Sequence, residues 1–171
     1  MSGVLKLLDE TTVSSAVSSV SLGAANWDSS YNVYKVTINN LVASAGATID
    51  MRFLVSGSAD TSSNYDAVAK NVWSGGSFAN NAQTDGTDIP FGNTIGSSAD
   101  QYHSSVVYLF NFNHASEFSF ITYEETANNS NAIGRQGAAM LKVDQATNGV
   151  LIKAGTETIT AGIFKLYGLS K

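Results

Sequence analysis

His103 and His114 are the only two histidines in the chain, and a nucleophilic mechanism would need one of them beside a hydroxyl and an orienting acid. Ser104 follows His103 in a run that reads as a strand, where adjacent side chains point to opposite faces. His114 lies next to Asn113 in a loop. Both histidines are therefore expected in surface or interface roles, and no nucleophile elbow occurs. Glu124 and Glu125 likewise face apart, whereas Glu117 and Glu125 share a face. The expectation for these acids is solubilising charge near strand ends, not the paired carboxylates of glycoside cleavage. Asp85-Gly86-Thr87-Asp88 offers hard oxygen ligands, with Asp60 and Asp66 as more distant partners. It lacks the additional carboxylates and the distal Glu of a calcium loop. Ser74-Gly75-Gly76 is followed by no Lys-Ser or Lys-Thr and reads as a turn, not as a phosphate cradle. The absence of cysteine removes thiolate zinc sites, cysteine nucleophiles and disulfides together. No catalytic residue, cofactor or metal site is expected.

The aromatic residues are better placed for binding. Trp27, Tyr31, Tyr65, Trp73, Phe78, Phe91 and Tyr102 fall in or near predicted loops. Such rings stack on sugars or anchor a protein interface, or they close the ends of a core. Closing the core is favoured for Tyr31 and Trp73. Trp73, Phe78 and Phe91 are also the candidate ligand or interface contacts.

The elements that must position these residues are strands. Apolar and polar residues alternate in Tyr34-Lys35-Val36-Thr37-Ile38 and again from Ile49 to Val55. The turn-like Ala43-Ser44-Ala45-Gly46-Ala47 between them predicts an antiparallel pair. Tyr102 to Phe112 places Tyr102, Val106, Tyr108, Phe110 and Phe112 on one face, and His103, Ser105, Val107, Leu109 and Asn111 on the other. Glu117 to Glu125 follows after Asn113-His114-Ala115-Ser116, giving a hairpin with Phe118 and Phe120 opposed to Ile121 and Tyr123. The tail adds strands over 138–143, 150–153 and 159–169, with Asn148-Gly149 as a tight-turn signal. Tyr65, Ala67, Ala69 and Trp73 keep period two. A short helix competes there, because alanine is a poor strand former. Residues 74–100 carry six Gly and Pro positions and no periodic run, which predicts a long loop, held to a surface by Phe78, Ile89, Phe91 and Ile95. Residues 1–22 read as an extended arm. Its Val4, Leu5, Leu7 and Leu8 have no evident partners and could latch onto another protein. Many short strands, glycine-rich turns and no helical periodicity give a single all-β, jelly-roll-like antiparallel β-sandwich over 23–171.

Composition narrows the function further. Charged residues make up 13% of the chain, well below the roughly 25% of ordinary soluble domains, so Ser, Thr, Asn and Gly must supply the polar surface. A surface poor in charge is weakly protected against association, which fits life inside an assembly. The net charge of −5 and nine scattered basic residues do not make a phosphate-binding face, so no nucleic-acid partner is expected. No apolar window of about 18 residues occurs, so no membrane span is expected. The first residues lack the pattern of a secretory signal.

The stretch Thr158-Ile159-Thr160-Ala161-Gly162-Ile163-Phe164-Lys165-Leu166-Tyr167-Gly168-Leu169 resembles the C-terminal strand of a broad group of tailed-bacteriophage virion proteins, many from marine phages. Tyr34 to Ile38 followed by Met51-Arg52-Phe53-Leu54-Val55-Ser56-Gly57 is similar to that group's opening strands. Val107 to Asn111 and Phe118 to Tyr123 are similar to its central hairpin. The likeness covers most of residues 30–169. It implies β-sandwich domains that decorate capsids or build tail fibres and baseplates, and it brings no catalytic residues. The resulting expectation is a non-enzymatic capsid decoration or cement protein, a homotrimer bound to the major capsid protein or other virion proteins at the virion surface. The alternative is a receptor- or glycan-binding domain of the tail. A cellular carbohydrate-binding module and an enzyme are the remaining readings. In the terminal strand Ile163, Tyr167 and Leu169 share one face and Phe164 and Leu166 the other. A strand apolar on both faces is either central or packed against a neighbouring subunit.

Overall fold

The computed structural model describes residues 4–96 and 100–169. Its strands are β1 (Leu5–Val13), β2 (Ser19–Gly23), β3 (Val33–Ala43), β4 (Ile49–Val55), β5 (Ser58–Ala59), β6 (Tyr65–Trp73), β7 (Phe78–Gly86), β8 (Ile89–Pro90), β9 (His103–Phe110), β10 (Ser119–Asn128), β11 (Ala132–Leu141), β12 (Gly149–Ala154) and β13 (Ile159–Leu169). One 3-10 turn, Ala24–Asn26, is the sole helical element among the described residues. A wide sheet runs β1-β13-β3-β9-β10-β11-β6-β7, and a narrow sheet runs β2-β12-β4-β5, with β8 also paired to β4. Every pairing is antiparallel. The chain passes repeatedly from one sheet to the other, and the two sheets form an antiparallel β-sandwich.

Period-two alternation decides which side chains enter the core. In β10, Ser119, Ile121, Tyr123, Glu125 and Ala127 are buried while Phe120, Thr122, Glu124, Thr126 and Asn128 are exposed. Tyr34, Val36 and Ile38 of β3, Val107 and Leu109 of β9, and Phe164 and Leu166 of β13 face Leu22, Met51, Phe53, Val150 and Ile152 of the narrow sheet. Each such Val, Leu, Ile or Phe contributes about 1.5–3 kcal/mol by leaving water. One end of the sandwich is closed by Trp27, which stacks on Tyr34 at 3.8 Å and donates from Nε1 to Asn113 Oδ1 at 2.8 Å. Tyr31 packs beside them, edge-on to Tyr34.

Several sequence expectations change. β3 and β4 are not a hairpin: β3 lies between β13 and β9, and β4 pairs with β12, β5 and β8. Residues 44–48 cross between sheets, which lets both strands bury a face against each other instead of side by side. Residues 1–22 are not a detached arm. β1 is the edge strand of the wide sheet, with Val13 buried and Leu8 packed on the core, and β2 belongs to the narrow sheet. Residues 1–3 of that proposed arm lie outside the described residues. Residues 74–100 are not one long loop, although 97–99 lie outside the described residues. Ser74-Gly75-Gly76-Ser77 turns tightly, with Gly76 at φ 82° and Trp73 N–H donating to Ser77 O, and sends the chain back as β7. β7 lacks alternation because it is an edge strand with most of its side chains in solvent. β6 is a strand and not a helix. Asn148-Gly149 does not form a hairpin either. Gly149 lets β12 approach β2, and a Cβ there would sit 2.3 Å from Leu22 O.

Candidate functional site

Two regions stand out, one inside the sandwich and one on the outer face of the wide sheet. The first is polar. Register places Ser105 of β9 opposite Glu125 of β10, Glu125 opposite Arg135 of β11, and Arg135 opposite Asn71 of β6. All four are buried, so one inward row of the sheet is polar across four adjacent strands. His103 lies two residues before Ser105 on the same face and is fully buried. Its Nδ1 is 3.2 Å from Glu125 Oε1 and its Nε2 is 3.1 Å from Ser105 Oγ. A carboxylate only accepts, so His103 donates a hydrogen bond from Nδ1 to Glu125, and Nε2 faces the serine hydroxyl.

Residues 89–95 strap over this row. The Asn93 backbone N–H donates to both Glu125 oxygens at 2.8 and 3.0 Å, and Asn93 Nδ2 donates to Oε2 at 3.0 Å. Arg135 Nη2 donates to Pro90 O at 2.5 Å. Gly92 permits the approach, since a Cβ there would stand 2.7 Å from Ile49 Cβ and 2.8 Å from the His103 ring. Phe91 sets its ring edge-on to both His103 and Tyr123. Burial raises the Tyr123 phenol above its ordinary pKa, and the nearby Arg135 charge opposes that shift. Ser105, His103 and Glu125 have the spacing of a nucleophile, base and orienting acid. The hydroxyl nevertheless faces the closed interior, out of a substrate's reach. Expecting His103 on the surface and Glu125 as a solubilising charge was wrong for one reason: the face of β9 rich in aromatics points outward, and the face carrying His103, Ser105, Val107 and Leu109 points in. Pairing His103 with Ser104 also missed Ser105, which period two places on its side. Glu124 and Glu125 do face apart, with Glu124 in solvent.

The second region is apolar. Leu5, Leu169, Val33, Phe110, Phe120 and Met140 are register neighbours in one row across six strands, on the outer face. Leu7, Tyr167, Lys35, Tyr108, Thr122, Ala138, Val68 and Ala82 form the next such row across all eight. All are exposed or half-buried, Val68 to 58% and Leu5 to 49%. The following row, Glu10, Lys165, Thr37, Val106, Glu124, Gln136, Lys70 and Asn80, is largely polar. Seven strand spacings make the band about 34 Å wide. Small residues on β11 leave a shallow groove between Val68 and Thr122 that runs from the band, at Tyr108 and Ala138, into the polar row at Lys70, Glu124 and Gln136.

Leu5 and Leu7 thus belong to this band, and Val4 is exposed beside it, whereas Leu8 turns toward the core. Phe78 is 67% exposed at the start of β7, with Lys70 Nζ 5.4 Å from its ring centre. Trp73 is half-buried against the core. Phe91 is 0% exposed and is corrected from surface contact to core. Tyr65 is buried too, its hydroxyl accepting from Phe53 N–H. The acids of 85–88 are held by cations. Asp85 lies 2.6 Å from Lys142, and Asp88 lies 3.0 Å from Lys153 and 3.6 Å from Arg52. Burial pulls the Lys153 ammonium down, but its hydrogen bond to Asp88 and the Asp50 charge outweigh that and hold it above its ordinary pKa. Ser74-Gly75-Gly76 is the turn expected of it.

The fold defines the class of the protein as an antiparallel β-sandwich with a two-row apolar band on the outer face of its wide sheet. Comparison with protein families and with curated proteins gives no match for the chain.

Proposed function

We propose that the chain is a non-enzymatic structural protein of a virus particle, most specifically a decoration or cement protein that seats the outer face of its wide sheet on the capsid shell. The supporting observation is the two-row apolar band. Monomeric proteins rarely leave contiguous apolar patches beyond a few hundred Å² in water, and larger ones mark interaction sites. The band joins the residues read as a latch, Leu5 and Leu7, to Tyr167 and Leu169 of the terminal strand that resembles phage virion proteins. A homotrimer on the shell would bury part of the same surface between copies.

Phe120 lies mid-band with its side chain outward, so Phe120→Asp disturbs docking and spares the core. Labelled wild-type protein is expected to cover particle heads regularly in electron micrographs, and Phe120→Asp to lose at least tenfold in occupancy while keeping its melting temperature. Equal occupancy of the two proteins would refute the assignment.

Exposed Phe78 beside half-buried Trp73 favours a second reading, a glycan- or receptor-binding domain of the tail. On that reading label gathers at the tail tip, and Trp73→Ala abolishes glycan-array binding.

A further inference from the structure

The wide sheet overhangs the narrow one at β6 and β7, and the overhang roofs a cleft of about 450 Å³ whose other wall is the 89–95 strap. Asn81 and Gln83 line it from β7, Asn93 and Thr94 from the strap, Thr48 from the crossing segment just before β4, and Arg135 from β11. Arg135 is 6% exposed. Its Nη2 is bonded to Pro90 O, but its Nε is buried with no hydrogen-bond partner. No carboxylate among the described residues lies within ion-pair distance of the guanidinium. Glu125, its cross-strand neighbour, is occupied by Asn93 and His103. The guanidinium also lies 6.0 Å from the Tyr123 ring centre, yet a buried guanidinium is best stabilised when its planar donor fork meets acceptors.

We propose that this cleft binds a small carboxylate-bearing, hydroxyl-rich ligand of the hexuronic-acid class. The planar fork of Arg135 suits a carboxylate better than a point cation would. The Asn81 amide can donate and accept, as sugar hydroxyls require. Gln83 donates to Asp88 O and keeps its carbonyl as an acceptor, and the Thr48 and Thr94 hydroxyls, 3.4 Å apart, share one hydrogen bond and keep lone pairs for the ligand. The volume is that of ordinary small-molecule pockets. No aromatic ring among the described residues lines the cleft, so recognition runs through hydrogen bonds and charge. The site adjoins the outer-face band at β7, where Ala82 belongs to both, but it does not depend on the role assigned to the band.

The test is titration of the full chain with glucuronate, glucose, acetate and inorganic phosphate, followed by isothermal calorimetry and by NMR shifts of Asn81, Thr94 and Arg135. Glucuronate is expected to bind with a Kd on the order of 1 mM, as suits about a dozen ligand atoms at a polar site. Glucose, acetate and phosphate should each bind at least tenfold more weakly. Arg135→Lys should lose at least tenfold in affinity. Arg135 sits in a packed interior, so exposed Asn81→Asp is the second variant: it keeps the wild-type melting temperature and repels the ligand carboxylate, again at least tenfold. Phe120→Asp should bind glucuronate like wild type, which separates this site from the docking face. The proposal is overturned if glucuronate shifts none of these resonances at 50 mM, if glucose or phosphate binds as tightly, or if folded Asn81→Asp binds unchanged.

Discussion

Glu125 carries a carboxylate into a region without solvent contact, where the Asn93 amides and His103 hold it. Breaking such a buried set by removing one partner costs about 3–5 kcal/mol, because the donors left behind stay desolvated. Glu125→Ala is therefore expected to lower the thermal midpoint by about 6–20 °C, at the 2–4 °C per kcal/mol typical of chains this long. Glu125→Gln, which keeps the shape and one acceptor, should lose less. A calorimetric scan of both decides it, and equal midpoints for Glu125→Ala and wild type would remove the strap's anchoring role from this residue. At this scale the sequence is ambiguous in a specific way. Alternation shows that His103, Ser105, Val107 and Leu109 share a face, but not that this face is the inner one, because Tyr108 and Phe110 make the opposite face look more apolar. Arg135 gave no signal either, since its burial depends on β6 and β10 flanking it in register.

Among the elements, β1 ties the chain's beginning to its end. Removing residues 1–13 strips the wide sheet of an edge strand, uncovers β13 and loses the packing of Leu8 and Val13. Those two side chains account for at most about 3–6 kcal/mol, since Leu8 is only half-buried, so the truncated chain should melt below the full one at about 2–4 °C per kcal/mol lost. A circular-dichroism melt with the full midpoint retained would show that β1 is dispensable. The alternating strands β3, β4, β9 and β10 were legible in the sequence, as were β13, from its run of apolar residues on both faces, and the β9–β10 hairpin. What lay beyond reach were partnerships. β3 and β4 adjoin in the chain yet cross the sandwich, and β7 forms without alternation because β6 supplies its hydrogen bonds while its side chains stay in water.

For the whole molecule, the unequal sheets divide the labour. The narrow sheet covers the inner face, and the wide sheet presents its outer face to whatever lies beyond. In the two apolar rows Lys35 is the only charged residue, with Asp66 following Met140 at the border. Association through this band should therefore depend little on salt, since apolar contact is not screened as exposed ion pairs are. Sedimentation at 50 and 500 mM NaCl is expected to give affinities within about threefold of each other. A fall of tenfold or more at high salt would shift the contact to the polar row of Glu10, Lys165 and Lys70. The sandwich and its class were readable from alternation and turns. The band was not, because it exists only once register aligns Leu7, Tyr167, Tyr108 and Val68 from strands far apart in sequence.

The opposition of Leu5 and Leu169 has a mechanical side. Antiparallel neighbours gripped at adjoining ends peel apart rung by rung, each step breaking few hydrogen bonds, whereas strands pulled lengthwise past each other must break many at once. A tether on both termini would open this domain at low force. A load entering through the broad flat side would spread over eight strands together.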